Sequence, residues 1–240
     1  MGDGETGKTA AVIVAAGSSR RMGFDKLSAE LAGIPVLTRS MMAFQACDAI
    51  DRIVLVTSEQ RFDWVREQAA AQAITKLYSI VAGAEERHLS VHCGLVSVPT
   101  ETRIVAVHDG ARPLVSPLAI SRCVGAARTK RAAALAHRVA DTLKRADESG
   151  QVTDSVSRDH LWGMETPQAF DLGLLKAAYA EIIDSGALVT DEVSAIQAHG
   201  EPVHLVENET PNPKITFPGD LELAEAILAQ AEAAASEEGR

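Results

Sequence analysis

Positive charge, cysteine and long apolar runs are all scarce in this chain, and each shortage excludes a class of protein. The 240 residues include 23 Lys and Arg against 33 Asp and Glu, and the net charge of -10 argues against nonspecific nucleic-acid binding. The three cysteines, Cys47, Cys93 and Cys123, form no CxxC pair, which favours reduced thiols without metal or catalytic roles. No apolar run could span a membrane, and the acidic start is unlike a signal peptide. We therefore expect a cytoplasmic protein that binds neither nucleic acid nor membrane.

The bulk composition is that of a soluble globular protein. Hydrophobic residues make up 46% of the chain and charged residues 23%, and the length suits one large domain with a sizeable core. Neither an internal repeat nor a linker interrupts the sequence. We predict one domain over residues 1–240, with a polar N-terminal tail over 1–9 and a protruding arm over about 141–162. Little sequence follows the last predicted helix, so we expect no second enzyme fused behind it.

The stretch from residue 10 to residue 26 is the most informative part of the chain. The apolar run AAVIV predicts a strand buried on both faces, and the small residues Ala15–Ser19 after it would let a ligand approach the backbone closely. Arg20, Arg21 and Lys26 then add positive charge. Backbone N–H groups and fixed cations attract the same anion, so the stretch indicates a phosphate-bearing ligand. A plain strand-to-loop transition with solvated basic residues is the alternative.

Residues Gly2–Thr9 read GDGETGKT and satisfy the P-loop pattern G-x-x-x-x-G-K-[ST]. A P-loop follows a strand and opens a helix, so that its amides surround the phosphates at the helix N-terminus. Here almost nothing precedes the motif and a strand-like run follows it. We therefore interpret the motif as part of a polar terminus and not as an ATPase site.

Apolar strands alternate with helical segments through most of the chain. Strands are predicted near 53–57, 76–81, 104–108 and 203–206, and helices near 38–46, 60–72, 90–98, 116–129, 172–184, from 190 and from 218. This alternation predicts an α/β fold with a mostly parallel sheet, in which ligands bind beyond the carboxyl ends of the strands. Two charged loops, 17–26 and 109–112, follow predicted strands. We expect them to share one site.

Residues 142–158 have a different character, with short alternating segments around a Glu-Ser-Gly turn. The pattern resembles an extended β-hairpin that has too little apolar surface to be stable alone. Such an arm needs a surface to pack against, and a second copy of the chain is a natural candidate.

Few side chains could bind a metal or act as a nucleophile. His88 and His92 have the i, i+4 spacing of helical metal ligands, but without the zinc-protease glutamate we expect them to be partly exposed surface residues. Ser18 and Ser19 lack the G-x-S-x-G context of a hydrolase nucleophile. Asp109 follows an apolar strand, where it could hold a divalent ion together with substrate phosphates, or could equally well cap a turn.

A series of motifs, taken in order along nearly the whole chain, resembles one known family. They are AAGSSRRM at 15–22 with Lys26, ER-x-x-SV at 86–91, VHDGARP at 107–113, DTLK at 141–144, Arg158 with Trp162, TPQAF at 166–170, TDE at 190–192 and KIT at 214–216. The family is 2-C-methyl-D-erythritol 4-phosphate cytidylyltransferase. The opening loop alone is shared with sugar nucleotidyltransferases in general.

The resemblance implies a Rossmann-like nucleotidyltransferase domain whose β-arm crosses to the partner of a homodimer. It also implies transfer of a cytidylyl group from CTP to methylerythritol phosphate, with release of pyrophosphate in the presence of Mg²⁺. By the same resemblance Arg21 and Lys26 would be catalytic. The residues expected to position the substrate are Arg158, Lys214, Thr142 (from the partner chain), Asp109 (also near the metal), Arg112 and Thr166. The residues expected to contact the nucleotide are Ala15, Ala16, Gly17, Ser18, Gly83, Ala84, Glu85 and Ser90.

Three positions depart from the family pattern, and Arg20 has no assigned role. Ala84 stands where a second glycine is frequent, Gly110 where alanine is common, and Pro213 where the family has an aliphatic residue before the lysine. Two other functions fit much of the pattern. One is the same reaction on ribitol phosphate, and the other is a nucleotide-binding regulatory protein that has lost catalysis.

Overall fold

The computed structural model describes residues 7–17 and 25–238, which build a seven-stranded sheet with helices on both faces. The strands are β1 (Lys8–Ala15), β2 (Glu30–Leu31), β3 (Ile34–Pro35), β4 (Arg52–Thr57), β5 (Leu77–Ala82), β6 (Thr102–Asp109), β7 (Ala132–Arg138), β8 (Leu143–Ala146), β9 (Val152–Val156), β10 (Trp162–Asp171) and β11 (His204–Glu207). The helices are α1 (Val36–Ala46), α2 (Phe62–Ala71, after a short 3₁₀ turn), α3 (Arg87–Val96), α4 (Pro117–Lys130), α5 (Leu172–Ser185), α6 (Glu192–Ala198) and α7 (Gly219–Glu238).

The central sheet has the strand order β11-β7-β10-β6-β1-β4-β5. β10 is antiparallel to both of its neighbours, and every other pair in this sheet is parallel, which confirms the predicted α/β fold with a mostly parallel sheet. β1 and β6 lie side by side, with Val14 opposite Asp109. Their carboxyl ends therefore meet at one edge of the sheet, where the two charged loops begin.

Strand β1 supplies side chains to the core on both faces of the sheet. Ala11 and Ile13 pack with residues of α1, α2 and α4, whereas Ala10 and Val12 pack with residues of α3, α5 and α6. A strand covered on both faces needs apolar residues at every position, which is why this one reads as a continuous run. The predicted burial on both faces is confirmed.

Two strands of the sheet, β7 and β10, were not predicted. β7 begins with three alanines, which have little strand preference, and β10 contains Gly163 and Pro167, which argue against a central strand. The register between β10 and β7 shifts between Met164 and Gln168, so Pro167 lies where this ladder is interrupted. Tertiary packing outweighs local propensity at both strands.

Two predicted boundaries are wrong. The polar tail does not extend to residue 9, because Lys8 and Thr9 already belong to β1 and Thr9 is buried. The arm does not extend to residue 162, because Trp162 begins β10 of the main sheet. The hairpin itself consists of β8 and β9, paired from Leu143 opposite Val156.

The hairpin of β8 and β9 stands away from the rest of the chain. All four residues of β8 are exposed, and the side chains of Leu143 and Val152 present apolar surface to solvent. Asp147 closes the turn by accepting hydrogen bonds from the backbone N–H groups of Ser149 and Gln151. The predicted β-hairpin is therefore present, and nothing within the described part of its own chain buries β8.

The helices confirm several local signals. Ser116 caps α4 by accepting a hydrogen bond from the N–H of Ala119, and Asp191 caps α6 in the same way from Ser194. α3 carries both histidines, but His88 is buried, so the expectation of partial exposure is wrong for it.

Over residues 7–17 and 25–238, no group of three acidic, histidine or cysteine side chains could hold a metal ion, and no helix is long and apolar enough to cross a membrane. The three cysteines are free thiols.

Candidate active site

A cavity of about 190 Å³ lies at the edge of the sheet where β1 and β6 end. Ala15 and Gly17 line it after β1, together with Lys26. Ala84, Glu85 and Ser90 line it from the turn before α3 and from α3 itself. Asp109 and Lys214 complete the set of predicted residues around it. The described residues of the loops after β1 and β6 therefore line one cavity.

Asp109 is held by two cations at the wall of this cavity. Nε and Nη2 of Arg87 lie 3.1 and 3.0 Å from its Oδ1, and Nζ of Lys214 lies 2.7 Å from its Oδ2. Burial alone would raise the pKa of Asp109, but the positive charges of Arg87 and Lys214 lower it well below its ordinary value. The carboxylate therefore stays ionised at any physiological pH.

Arg87 bridges Asp109 to a second, fully buried carboxylate. Its Nη1 and Nη2 donate to Oε1 and Oε2 of Glu192 at 2.7 and 3.2 Å, and the Tyr179 hydroxyl donates to the same Oε1 at 3.0 Å. Burial would lower the pKa of Arg87, but Glu192 and Asp109 raise it above its ordinary value. Sequence reasoning quoted Arg87 and Glu192 within motifs and gave neither a role. The only sequence signal for a role of Arg87 or Glu192 was that each lies in a motif near predicted site residues.

Lys26 is hydrogen-bonded to the backbone segment that carries Lys214. Nζ of Lys26 donates to the carbonyl oxygen of Ile215 at 2.9 Å, although the two residues are 189 positions apart. Beside this loop, Nη2 of Arg61 lies 2.6 Å from Oδ1 of Asp25, next to Lys26 in the chain. Sequence reasoning did not identify Arg61. The lining of the cavity thus includes two ammonium groups together with the small residues after β1.

The turn at 83–85 is held against the loop after β1. Oγ of Ser90 accepts from the N–H of Ala84 at 2.9 Å and donates to its carbonyl at 3.1 Å. A Cβ added to Gly83 would lie 2.2 Å from Cβ of Ala16, so only glycine permits this close approach. Ala84 has no positive φ, and alanine is therefore compatible with this turn.

Gly110 occupies a tight position directly after Asp109. A Cβ added there would lie 2.8 Å from Cδ1 of Leu37 and 3.2 Å from the carbonyl oxygen of Val14. In this chain Leu37 fills the space that an alanine methyl would need. The departure from the family pattern at Gly110 is thus matched by the packing around it.

Thr166 lies behind Asp109 and does not line the cavity. Its Oγ1 accepts from the backbone N–H of Asp109 at 3.1 Å and is 3.0 Å from Nδ1 of His108. Burial lowers the pKa of His108 to about 4, so its ring is neutral at pH 7. The Thr166 hydroxyl can then donate to Nδ1, while Nε2–H donates to the carbonyl of Arg112, 3.2 Å away. Thr166 thereby supports the backbone that presents Asp109.

Arg112 also lies outside the first cavity. Its Nη1 donates to the carbonyl of Asn212 at 2.7 Å and its Nη2 to that of Met164 at 3.3 Å. With Lys214 it lines a second cavity of about 700 Å³, between the 208–214 segment and α7. Lys214 lines both cavities.

Arg158 and Thr142 are both exposed and do not line the first cavity. Nη1 of Arg158 donates to the carbonyl of Ala140 at the base of the arm, 2.6 Å away. A single chain therefore does not bring these two predicted residues to Lys214. Ser18, Arg20 and Arg21 lie outside the described residues.

Comparison with known proteins gives a uniform result. Residues 9–230 match the family model described as IspD: 2-C-methyl-D-erythritol 4-phosphate cytidylyltransferase. Relatives of that name from Caldanaerobacter subterraneus and Ralstonia nicotianae are 40% and 42% identical, and the matches cover 91% and 92% of this chain and 97% and 92% of the relatives.

Solved structures agree with the sequence relatives. The 4-diphosphocytidyl-2C-methyl-D-erythritol synthase of Anaerococcus prevotii superposes with a TM-score of 0.82 at 30% identity, over 93% of this chain and 99% of the other. The 2-C-methyl-D-erythritol 4-phosphate cytidylyltransferase of Thermus thermophilus superposes with a TM-score of 0.75 at 31% identity, over 92% and 98%.

Proposed function

We propose, because this chain belongs to the 2-C-methyl-D-erythritol 4-phosphate cytidylyltransferase family, that it transfers a cytidylyl group from CTP to 2-C-methyl-D-erythritol 4-phosphate. The products are 4-diphosphocytidyl-2-C-methyl-D-erythritol and pyrophosphate. The observation that carries the proposal is the cavity in which Lys26, Lys214 and Asp109 meet the small-residue loop after β1. Two ammonium groups at one cavity support the proposal, because the reaction has to bring two phosphate-bearing substrates together.

The reaction is an in-line displacement at the α-phosphorus of CTP. An oxygen of the substrate phosphate forms the new bond to that phosphorus, and the bond to the β-phosphate oxygen breaks and releases pyrophosphate. The attacking phosphate is already ionised, so no general base or covalent enzyme intermediate is needed. Preorganised cations supply the catalysis by stabilising charge that develops on the α-phosphoryl oxygens. Lys26 is suited to that role, and we assign Arg21 to it as well.

The nucleotide is expected at the small-residue side of the cavity. Ala15 and Gly17 carry little side chain there, with Ala16 between them in the chain, and Ser90 fixes the backbone of the turn at 83–85 that leads into α3. Ser18 belongs to the same proposed contact surface. Backbone N–H groups near a helix N-terminus suit an anionic ligand because their partial charges are fixed in place.

Lys214 and Asp109 are assigned to the polyol phosphate. Asp109 can accept hydrogen bonds from hydroxyl groups, while the ammonium group of Lys214 can pair with the phosphate. Thr166 and Arg112 assist by holding the backbone of Asp109 and Asn212, and Arg112 lies close enough to the Lys214 segment to add positive charge.

A magnesium ion is part of the proposal, and the donor set fits one held largely by substrate. Asp109 supplies a single ionised carboxylate at the cavity wall, and Mg²⁺ in such sites takes one or two carboxylates and completes its shell with phosphate oxygens and water. When bound, the ion would neutralise phosphate charge. Asp109 is the residue that would hold it. We also propose a cytoplasmic location, which three free thiols support.

The assay that tests the function measures pyrophosphate release from CTP and Mg²⁺ with each of two polyol phosphates. We expect kcat/KM with methylerythritol phosphate to exceed that with ribitol phosphate by about 100-fold, because a missing methyl group or an added hydroxyl changes kcat/KM by roughly that factor. Faster turnover of ribitol phosphate would assign the chain to the ribitol reaction. Binding of CTP with no turnover of either would identify a regulatory protein.

We further propose that the chain works as a homodimer in which the arm completes the partner's site. The exposed β8 strand and the absence of Thr142 and Arg158 from the cavity of their own chain support this arrangement. An arm with so little buried surface gains stability only by packing on another chain.

A mixing experiment tests the dimer directly. The Lys26→Ala chain keeps an intact arm, and the Arg158→Ala chain keeps an intact cavity, so each alone should be nearly inactive. When equal amounts are unfolded and refolded together, half of the dimers contain one chain of each kind and one working site. We expect about a quarter of the activity of the unsubstituted protein. No recovery, with both chains folded, would place Arg158 in its own chain's site, and full activity of the Arg158→Ala chain by itself would remove Arg158 from catalysis.

A further inference from the structure

The short segment that carries Lys214 is anchored on both sides of that lysine. Before it, Nδ2 of Asn212 donates to Oε2 of Glu165 at 2.9 Å and to the carbonyl of Thr166 at 3.0 Å. After it, the N–H of Ile215 donates to the carbonyl of Ala111 at 2.8 Å, and the Ile215 side chain is fully buried. Lys214 thus lies between two anchored residues, Asn212 and Ile215.

Glu165 is itself held from several directions. It is 4% exposed and lies on β10 where the ladder to β7 is interrupted. Its Oε2 accepts from Nδ2 of Asn208 at 2.8 Å as well as from Asn212, while its Oε1 is 2.8 Å from Nδ1 of His137. A buried carboxylate with three partners has one favourable orientation, because any rotation would leave a polar group without its hydrogen bond.

Pro213 restricts the backbone between Asn212 and Lys214. Its ring fixes the backbone φ at one residue between Asn212 and Lys214, which removes a freedom that most residues would have. The Asn212 carbonyl is held in turn by Nη1 of Arg112. The position of the Lys214 Cα is therefore set largely by Asn212, and Asn212 by Glu165.

We propose that Glu165 and Asn212 are positioning residues that hold Lys214 for the polyol phosphate. This inference rests on the proposed function, in which Lys214 binds that substrate. Both residues act through Lys214, and they stand apart from the turn at 83–85 that we assign to CTP. Loss of either residue should therefore weaken binding of the polyol phosphate and leave binding of CTP unchanged.

Steady-state kinetics of Glu165→Ala and Asn212→Ala give the first test, with each substrate varied at saturating levels of the other. We expect the KM for methylerythritol phosphate to rise about tenfold or more and the KM for CTP to change less than about threefold. Glu165→Gln should retain most of the affinity, because its amide oxygen can accept from both asparagines as Oε2 of Glu165 does. Equal damage by Gln and Ala would overturn the hydrogen-bonded anchor.

A control and a second measurement separate positioning from general damage. His137→Ala removes a partner of Oε1 only and leaves the Asn212 contact at Oε2, so we expect both KM values to stay within about twofold. Amide hydrogen exchange should accelerate over 208–216 in Glu165→Ala and remain unchanged in β1 and β6. That readout holds whether or not the chain uses methylerythritol phosphate. Unchanged exchange over 208–216, or a parallel rise of both KM values, would overturn the proposal.

Discussion

Replacing Lys26 by alanine should lower kcat about 100- to 1,000-fold, which is the loss expected when one preorganised group that stabilises transition-state charge is removed. The side chain lines the cavity and its Nζ is fixed by the carbonyl of Ile215, so the charge is already in place before the substrates react. Single-turnover measurements with saturating CTP and polyol phosphate would report the chemical step directly.

Stability should change much less than turnover in the same variant. The hydrogen bond that Lys26 donates to the carbonyl of Ile215 is typically worth about 1 kcal/mol. Lys8→Ala is the matched control, because it also removes an ammonium group, one paired with Asp51 at the exposed far end of β1. It should leave kcat unchanged. If Lys26→Ala reduced stability in proportion to activity, the role of Lys26 would be structural.

Replacing Glu192 by alanine should destabilise the fold by about 3–5 kcal/mol, because it leaves a largely buried cation without its main anion. The Glu192 side chain is 0% exposed and accepts from both terminal nitrogens of Arg87 and from the Tyr179 hydroxyl. Nη1 of Arg87 and the Tyr179 hydroxyl would lose the acceptor, while Nη2 of Arg87 would keep its hydrogen bond to Asp109. Urea unfolding followed by circular dichroism would measure the change as a lower midpoint.

The control for this prediction is Glu181→Ala. Glu181 also pairs with a side chain from another part of the chain, His199, but its side chain is 61% exposed. Removing such a surface pair should cost less than about 1 kcal/mol. If the two variants had equal midpoints, the Arg87–Glu192 bridge would contribute no more than a surface ion pair.

Local sequence signals were enough for most elements of the fold. β1, β4 and β6 have continuous apolar runs, and Ser116 before Pro117 marks the start of α4. These features depend on a few neighbouring residues and can be recognised without knowing the tertiary contacts. β7 and β10 were missed because their alanines, Gly163 and Pro167 have weak or contrary strand propensity, and only neighbours in the sheet stabilise them there.

The candidate site was predicted in part, and the pattern of success has a physical explanation. Small residues after a strand, and Asp109 at the end of another, predicted a cavity at the sheet edge, because carboxyl ends of parallel strands meet there. Arg87, Glu192 and Tyr179 gave no such signal. Each is an ordinary residue on a helix until folding brings it to the others, as with Arg87 and Glu192, which are 105 positions apart.

By itself, then, the sequence determined the α/β class, the order of most elements and the hairpin of β8 and β9, since each depends on local composition and periodicity. Only the tertiary structure decided which charges meet. It pairs Arg87 and Lys214 with Asp109, joins Lys26 to Ile215, anchors Asn212 on Glu165 and leaves Arg158 outside its own chain's cavity. Electrostatic and hydrogen-bonding contacts act over a few ångströms in space, and distance along the chain does not reveal them.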